Sequence, residues 1–516
     1  MKRASQIAII AIAFLAFVCL PVAAQEEEGK GVEVSLSGYF RVRHYYIDDV
    51  LMSDPYGNTL NTNSSYFQQR VRLEPTIRVS ENVKLIGQID IFDDVIWGNN
   101  NAPVPALAGA PTSQGQDGSF ADDQYGVRSI NPKRFYADVL LPFGKLEFGR
   151  MPSHWGLGLL ENDGNGFRNE WGDAHYGSTH DRILFATKPM GKEGPMILAI
   201  AFDKNATGNA DPLAPGSIDA SIDDVQQISI VPVYHPEDKN VTAGIFAAYR
   251  TQDSTKTNIY ATSAYCDLDL EPLRLQVEAV WVGGETEALM PALLVANEED
   301  NLGLTGKTDV NAINGVLRAT YNYEPLKFIV EGGYSSGQEK DAIIPESHST
   351  RTTSKLTTYP FNPDYNVGLI LFEEVLYRKS LAAAEERFPY PNDERLALKE
   401  LIPSHGSVRN AWYVAPLIKL DLTDALGTKL GILYAQAVDD LADPTSRAAG
   451  WTNYEGNHKL SKDLGWEIDW GIHFGLADNF DFGVQLGYFI PGKAFETTSG
   501  DTVNVFETLT RLTVTF

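Results

Sequence analysis

The sequence predicts an all-β fold, a closed antiparallel transmembrane β-barrel of about 16–18 strands with long outer loops. Three observations carry this expectation. The final stretch, Asp501 to Phe516, puts Leu512, Val514 and Phe516 on one face and Arg511, Thr513 and Thr515 on the other. Similar period-two stretches recur along the whole chain. Their connections alternate between short turns and long polar segments, as they do in membrane barrels. Taken alone, the last stretch also fits the edge strand of a soluble sandwich. A sandwich has no reason to keep that alternation of connections, so the barrel is preferred.

At the N-terminus, Lys2 and Arg3 precede an apolar run from Ile7 to Leu20, and Val22, Ala23 and Ala24 precede Gln25. Residues 1–24 therefore read as a secretory signal peptide, followed by a short periplasmic segment, 25–33. No later run approaches the roughly 18 apolar residues of a spanning helix. With Cys19 inside the signal, Cys266 stands alone and an internal disulfide is excluded. A formal net charge of −26 argues against nucleic acid as a partner. No linker or composition break divides residues 34–516, which read as one barrel.

The first strand is expected over Val34–Ile47, with Arg41 and Arg43 on its polar face. Tyr66–Ser80 is the clearest strand: Phe67, Gln69, Val71, Leu73, Pro75, Ile77 and Val79 alternate with Gln68, Arg70, Arg72, Glu74, Thr76 and Arg78. Val83–Trp97 follows through a tight turn. Arg134–Leu141 and Lys145–Arg150 are joined by Leu-Pro-Phe-Gly. Further strands follow over residues 182–188, 196–203, 225–235, 241–250, 258–270, 273–283, 313–323, 327–335, 409–422 and 429–438. In Leu464–Leu476, Leu464, Trp466, Ile468, Trp470, Ile472, Phe474 and Leu476 alternate with Glu467, Asp469 and His473, and Trp466, Ile468 and Phe474 are expected to face lipid. Phe480–Ile490 and the terminal strand complete the count. Lipid contact is also expected for Val71 and Leu73.

Two long segments stand out. Residues 151–181, MPSHWGLGLLENDGNGFRNEWGDAHYGSTHD, are rich in glycine and carry Glu161, Asp163, Glu170, Asp173 and Asp181 with His154, His175 and His180. Three readings are open: a loop folded into the lumen, a cation site, or a solvated outer loop. Asp163, Asn165 and Asp173 would supply the oxygen ligands that Ca2+ prefers, although the run does not continue as an EF-hand. The histidine spacing fits no zinc pattern. Residues 337–408 contain helix-forming runs at Ser380–Phe388 and Asp393–Leu401, preceded by the unusually apolar Phe361–Arg378. That apolar run reads either as a lid over or inside the pore, or as a loop cap packed on itself.

Arg41, Arg43, Arg70, Arg72 and Arg134 share the polar face of the early strands, so the wall is basic although the chain is acidic. They serve either to select solutes or to brace strands by pairing with Glu74, Asp90 and Asp138, and both roles are compatible. No G-x-S-x-G, H-E-x-x-H or phosphate loop is present. No enzymatic activity is expected, and no cofactor apart from the candidate Ca2+.

The mature chain resembles bacterial porins, whose third outer loop folds inward and faces an arginine cluster with its acids. A C-terminal Phe516 after Val514 and Leu512 resembles the signal read by the barrel assembly machinery. Gly149–Gly166, the stretch ending DRILF at Phe185, and Phe361–Arg378 resemble hallmarks of a large barrel family of myxobacteria and relatives that lacks an assigned function. A more distant similarity is to alginate-export barrels, which pass an acidic polysaccharide through a basic lumen. The resemblance implies an outer-membrane location in a Gram-negative bacterium, contact with lipid and lipopolysaccharide, and a polar small molecule or oligosaccharide as solute. Homo-oligomerisation stays open. The expected function is passive passage of polar or anionic solutes, with Glu161, Asp163 and Asp173 set across from Arg41, Arg43, Arg70, Arg72 and Arg134. A first strand near Val34 leaves no room for the plug of an energised transporter. The alternative is a structural or adhesive barrel whose lumen is blocked by Phe361–Arg378.

Overall fold

The computed structural model describes residues 31–48, 63–97, 130–164, 169–174, 177–207, 224–237, 240–253, 255–287, 307–337, 354–378, 404–439, 461–496 and 502–516. The signal peptide and the helices expected at Ser380–Phe388 and Asp393–Leu401 lie outside these residues. Nineteen strands form one sheet. They are β1 (Glu33–Asp48), β2 (Asn63–Ser80), β3 (Val83–Ile96), β4 (Ile130–Leu141), β5 (Gly144–Pro152), β6 (Thr179–Thr187), β7 (Met196–Thr207), β8 (Asp224–Tyr234), β9 (Val241–Gln252) and β10 (Thr257–Leu270). Then come β11 (Leu273–Thr286), β12 (Thr308–Tyr323), β13 (Leu326–Ser335), β14 (Ser354–Leu356), β15 (Ala411–Thr423), β16 (Leu426–Ala437), β17 (Asp463–Ala477), β18 (Phe480–Pro491) and β19 (Val505–Thr515). Of these, β14 has only three residues and pairs in parallel with the overhanging start of β12. The other eighteen are antiparallel to their neighbours and form the wall.

The wall is closed. β1 pairs with β19 from Tyr39 opposite Thr515 to Asp48 opposite Phe506. Beyond the ladder, the Phe516 amide donates to the Gly38 carbonyl at 3.0 Å and the Gly38 amide donates back at 2.9 Å. Closure follows from the solvent: an open edge in hydrocarbon would leave a row of backbone groups without partners.

The period-two pattern sorts the side chains. On β17, Trp466 and Ile468 are 50% and 40% exposed, whereas Glu467 and Asp469 are 0% and 2% exposed. The outer surface is thus an apolar band and the polar face is interior, the arrangement of a transmembrane barrel. Val71, Leu73 and Phe474 are half-buried on the outer face. Aromatic pairs mark both rims. Phe67–Trp97 and Tyr249–Tyr260 stack at centroid separations of 4.9 and 4.8 Å at the loop end, where Tyr434 and Trp466 meet in a tilted pair at 4.5 Å. Phe143–Phe185 and Phe474–Phe482 meet at 6.0 Å at the turn end. Such girdles suit the two membrane–water interfaces.

The alternation expected over Leu464–Leu476 breaks at its first residue. Leu464 is 1% exposed and joins the interior cluster. The β16–β17 register jumps from Ala435 opposite Gly465 to Gln436 opposite Asp463, so Leu464 is the extra residue of a β-bulge. Gly465 has φ +104°, and a Cβ there would lie 2.3 Å from the Ile490 carbonyl oxygen. A period count cannot register the inserted residue. Strands also run further than expected, so Met151, Pro152 and Thr179–Asp181 belong to β5 and β6 rather than to the loop between them. The turn expected over Thr423–Thr428 shrinks to Asp424 and Ala425.

Deleting Phe516 removes both reciprocal bonds to Gly38 at the closing seam. The expected outcome is a smaller folded fraction in reconstituted or membrane-extracted protein. This is read as loss of the heat-modifiable band on electrophoresis, and parental levels would contradict the role given to that contact.

Candidate functional site: the filled lumen

Two irregular segments enter the barrel and interlock, and neither carries enough regular structure to satisfy its own amides. A buried backbone N–H without a partner is costly. The wall supplies the partners. Glu278 on β11 accepts the amides of Leu157, Gly158 and Leu159 through one oxygen, at 2.7, 3.1 and 3.4 Å. Its other oxygen accepts Ser263 Oγ at 2.8 Å, and Ser263 in turn accepts Trp155 Nε1 at 3.1 Å. Glu467 on β17 does the same for the second segment, accepting the amides of Leu369, Ile370 and Leu371 at 2.6, 2.8 and 2.7 Å. Each carboxylate needs a glycine beside it. A Cβ on Gly156 would lie 2.7 Å from Glu278 Oε2, and one on Gly368 would lie 2.6 Å from Glu467 Oε1.

The first segment runs from Ser153 to Ser178 and crosses from wall to wall. After the Glu278 anchor, Glu161 meets His180 Nε2 at 2.9 Å. Glu170 bonds Lys419 on β15 at 2.9 Å, and Trp171 lies under Lys429 of β16 at 4.3 Å. The Gly172 amide reaches Gln485 of β18 at 3.0 Å. Asp173 then contacts Arg43 at 3.1 Å, Arg41 at 3.5 Å, and Arg511. Arg43 and Arg511 are directly opposite each other across the β1–β19 seam, so one carboxylate bridges two like charges.

The second segment enters from β14. Its Tyr359 carbonyl is held by Asn314 at 3.0 Å and Ser335 at 3.1 Å. Phe361, Tyr365, Leu369, Ile370, Leu371, Phe372 and Val375 are buried among wall residues, and Leu371–Leu376 forms a turn of π-helix. The run expected to be either a lid or a cap therefore packs inside the barrel. The two segments join at Asn362 and Asp364. The Asn362 amide donates to the Leu159 carbonyl at 2.7 Å, the Asn169 side chain donates to the Asp364 carbonyl at 2.8 Å, and Asp364 Oδ2 accepts the Gly177 amide.

Of the acids expected opposite the early arginines, Asp173 lies against Arg41 and Arg43. Glu161 turns instead to His180. The Asp163 carboxylate sits 3.7 Å from His154, while its main-chain oxygen accepts Arg134. Arg72 makes a two-point bond to Asp90 at 2.7 and 2.8 Å, and Arg70 and Lys133 also approach Asp90, at 4.0 and 3.6 Å. Bracing therefore accounts for Arg72. For the cation reading, Asn165 and His175 lie outside the described residues, and Asp173 is surrounded by guanidinium groups that would repel a cation. No group of three metal-competent side chains occurs among the described residues.

The sequence pattern places Glu467 on the polar face but gives no sign that it, or Glu278, anchors a segment. It also missed Asp364 and Arg511. The available signal was glycine density opposite a wall carboxylate.

No family model and no curated protein matches the sequence. Solved structures do resemble the fold. OccK8 (OprE) of Pseudomonas aeruginosa matches at 10% identity over 93% of this chain and 98% of its own, with a TM-score of 0.46. OpdQ of the same species matches at 10% over 94% and 97%, with a TM-score of 0.48. A BenF-like porin from Pseudomonas fluorescens matches at 7% over 94% and 99%, with a TM-score of 0.47.

Glu278→Ala leaves three amides and Ser263 without their acceptor. Expected is a loss of about 3 kcal/mol in unfolding free energy, with faster proteolysis between Ser153 and Ser178. Acid should loosen the same segment. Burial opposes ionisation of Glu161, but the His180 bond and the charges of His180, Arg250 and Arg182 outweigh it and hold the carboxyl below its usual range. Ionised Glu161 therefore stabilises docking above roughly pH 4.3, and that contribution disappears as pH falls through its lower folded value. Proteolysis of the segment at acid pH should rise, and less so in Glu161→Gln.

Proposed function

We propose that the protein is a porin-like channel of a Gram-negative outer membrane, passing polar or anionic solutes passively. The observation that carries this reading is the row of interior guanidinium groups on adjoining strands: Arg511 and Arg43 at the seam, Arg41 opposite Arg70, then Arg72, and Arg134 on β4. A barrel of this circumference without inserted segments encloses a wide aqueous lumen. With both segments in place the passage is restricted and the basic row is largely buried, and the route assigned to solutes in this reading is the one beside that row. Fixed charge in a narrow, partly dehydrated passage acts strongly on a passing ion.

Small carboxylates and acidic oligosaccharides fit that chemistry. Asp173 and Asp90 temper the basic row, so an anion is attracted without being trapped, as conduction requires. Lipid and lipopolysaccharide are the expected surroundings of the apolar band. The barrel assembly machinery is the expected partner of the strand ending at Phe516. No catalytic step is assigned.

One observation favours the structural reading as well: Phe361, Ile370, Leu371 and Phe372 pack apolar side chains into the interior. Planar-bilayer recording separates the two. A channel gives single-channel steps, and Arg70→Ser with Arg72→Ser lowers anion preference severalfold in a salt gradient. A parent protein that never conducts, in its folded heat-modifiable form, makes the barrel structural instead.

A further inference from the structure

The Glu467 anchor belongs to a larger buried group of acids. Asp469, two residues along the same lumen face, is 2% exposed, and Glu507 on β19 is 3% exposed. Asp469 lies opposite Gly487 of β18, and Gly487 lies opposite Glu507, so the two acids flank a glycine notch on three adjacent strands. Ile370 of the inward segment fills that notch. A Cβ at Gly487 would lie 2.9 Å from Ile370 Cδ1 and 3.0 Å from Asp469 Oδ1. Asp469 Oδ1 and Glu507 Oε2 are buried with no hydrogen-bond partner.

The surroundings add more negative charge. Glu373, Glu374 and Asp364 bear on the group from the inward segment, while Arg378 and Lys429 bring positive charge to it. Tyr66 of β2 lies close to Glu374, Glu507 and Arg378. Arg378 is already bonded twice to Glu374, at 2.9 and 2.7 Å. Burial, followed by Glu374, Asp364 and Glu467, pushes the Glu373 carboxyl well above its usual range.

We propose that Glu467, Asp469 and Glu507 form a proton-operated latch on Phe361–Arg378, closed while the group holds a proton and released as it ionises. Glu467 accepts three amides, which favours its charged form. Asp469 lies two residues from Glu467 on the same buried face of β17, and neighbouring buried carboxyl groups favour a state that holds a proton. With Asp469 neutral, its unpartnered oxygen is far cheaper to bury than a carboxylate oxygen. Loss of that proton leaves adjacent negative charges in a low-dielectric pocket beside Glu507. The relief available is withdrawal of Leu369–Leu371 and entry of water. The same movement removes Ile370 and Phe372 from the lumen.

The consequence for conduction rests on the channel reading above, so the test has two readouts. Hydrogen–deuterium exchange of peptides containing Leu369–Leu371 and bilayer conductance are followed from about pH 5 to about pH 9, for the parent and for Asp469→Asn. Comparison at equal pH cancels the intrinsic exchange chemistry. Electrophoretic heat-modifiability confirms folding, and Glu507→Gln serves if the first variant does not assemble. In the parent, protection at Leu369–Leu371 should fall and conductance should rise severalfold with pH. In Asp469→Asn, which carries no charge at that position at any pH, protection should stay high and conductance low. Loss of protection without current at any pH supports the latch and overturns the channel reading. Current with pH-independent protection overturns the latch alone, as do identical exchange profiles in parent and variant.

Discussion

A carboxylate that accepts consecutive backbone amides is the interaction on which this interior depends. Irregular chain at membrane depth is tolerated only when every amide finds a partner. Glu278 and Glu467 each satisfy three from the wall, at places where a glycine lets the carboxylate come close. Asn314 and Ser335 perform the complementary service for a carbonyl, that of Tyr359. With these points fixed, the apolar side chains of Phe361–Val375 pack against the interior of the sheet and against Leu159 and Trp171 of the first segment.

Interior charge is graded along the axis. Glu467, Asp469 and Glu507 lie toward the loop rim, while Arg41, Arg43, Arg70, Arg72 and Arg511 lie nearer the middle of the same sector. Each group has one inserted segment against it. The apolar segment carrying few cations covers the acids, and the acidic segment covers the arginines. Opposite charge retains the acidic segment, whereas the apolar segment, which itself carries Asp364, Glu373 and Glu374, is held by its amides donating to Glu467.

The wall was legible in the sequence because its determinants are local. Alternation on Phe67–Val79 and Trp466–Ile472, together with the parity of the connections, is enough to define strands and faces. Leu464 departs from the alternation because a bulge changes phase without changing composition. The arginines were rightly put on the polar face, and the contact of Asp173 with Arg41 and Arg43 could be anticipated from opposite charge. Glu161 and Asp163 could not be resolved in the same way. Their partners, His180 and His154, depend on how the chain turns at the left-handed glycines Gly156, Gly158 and Gly164. Asp364 was invisible because its contacts join segments about 200 residues apart, on the order of the long loop closures that carry no local signature.

The bridge made by Asp173 has a consequence for the order of assembly. Arg43 and Arg511 belong to the first and last strands and become neighbours only when the cylinder shuts. Facing like charges across a ladder oppose pairing. Asp173, carried by a segment between β5 and β6, sits on both and removes that opposition. Closure of the seam is therefore favoured when the inserted segment is in place. Its arrival converts a repelling junction into a bonded one, so a cylinder that shuts around an empty interior is penalised at its own seam. Filling and shutting become a single cooperative event.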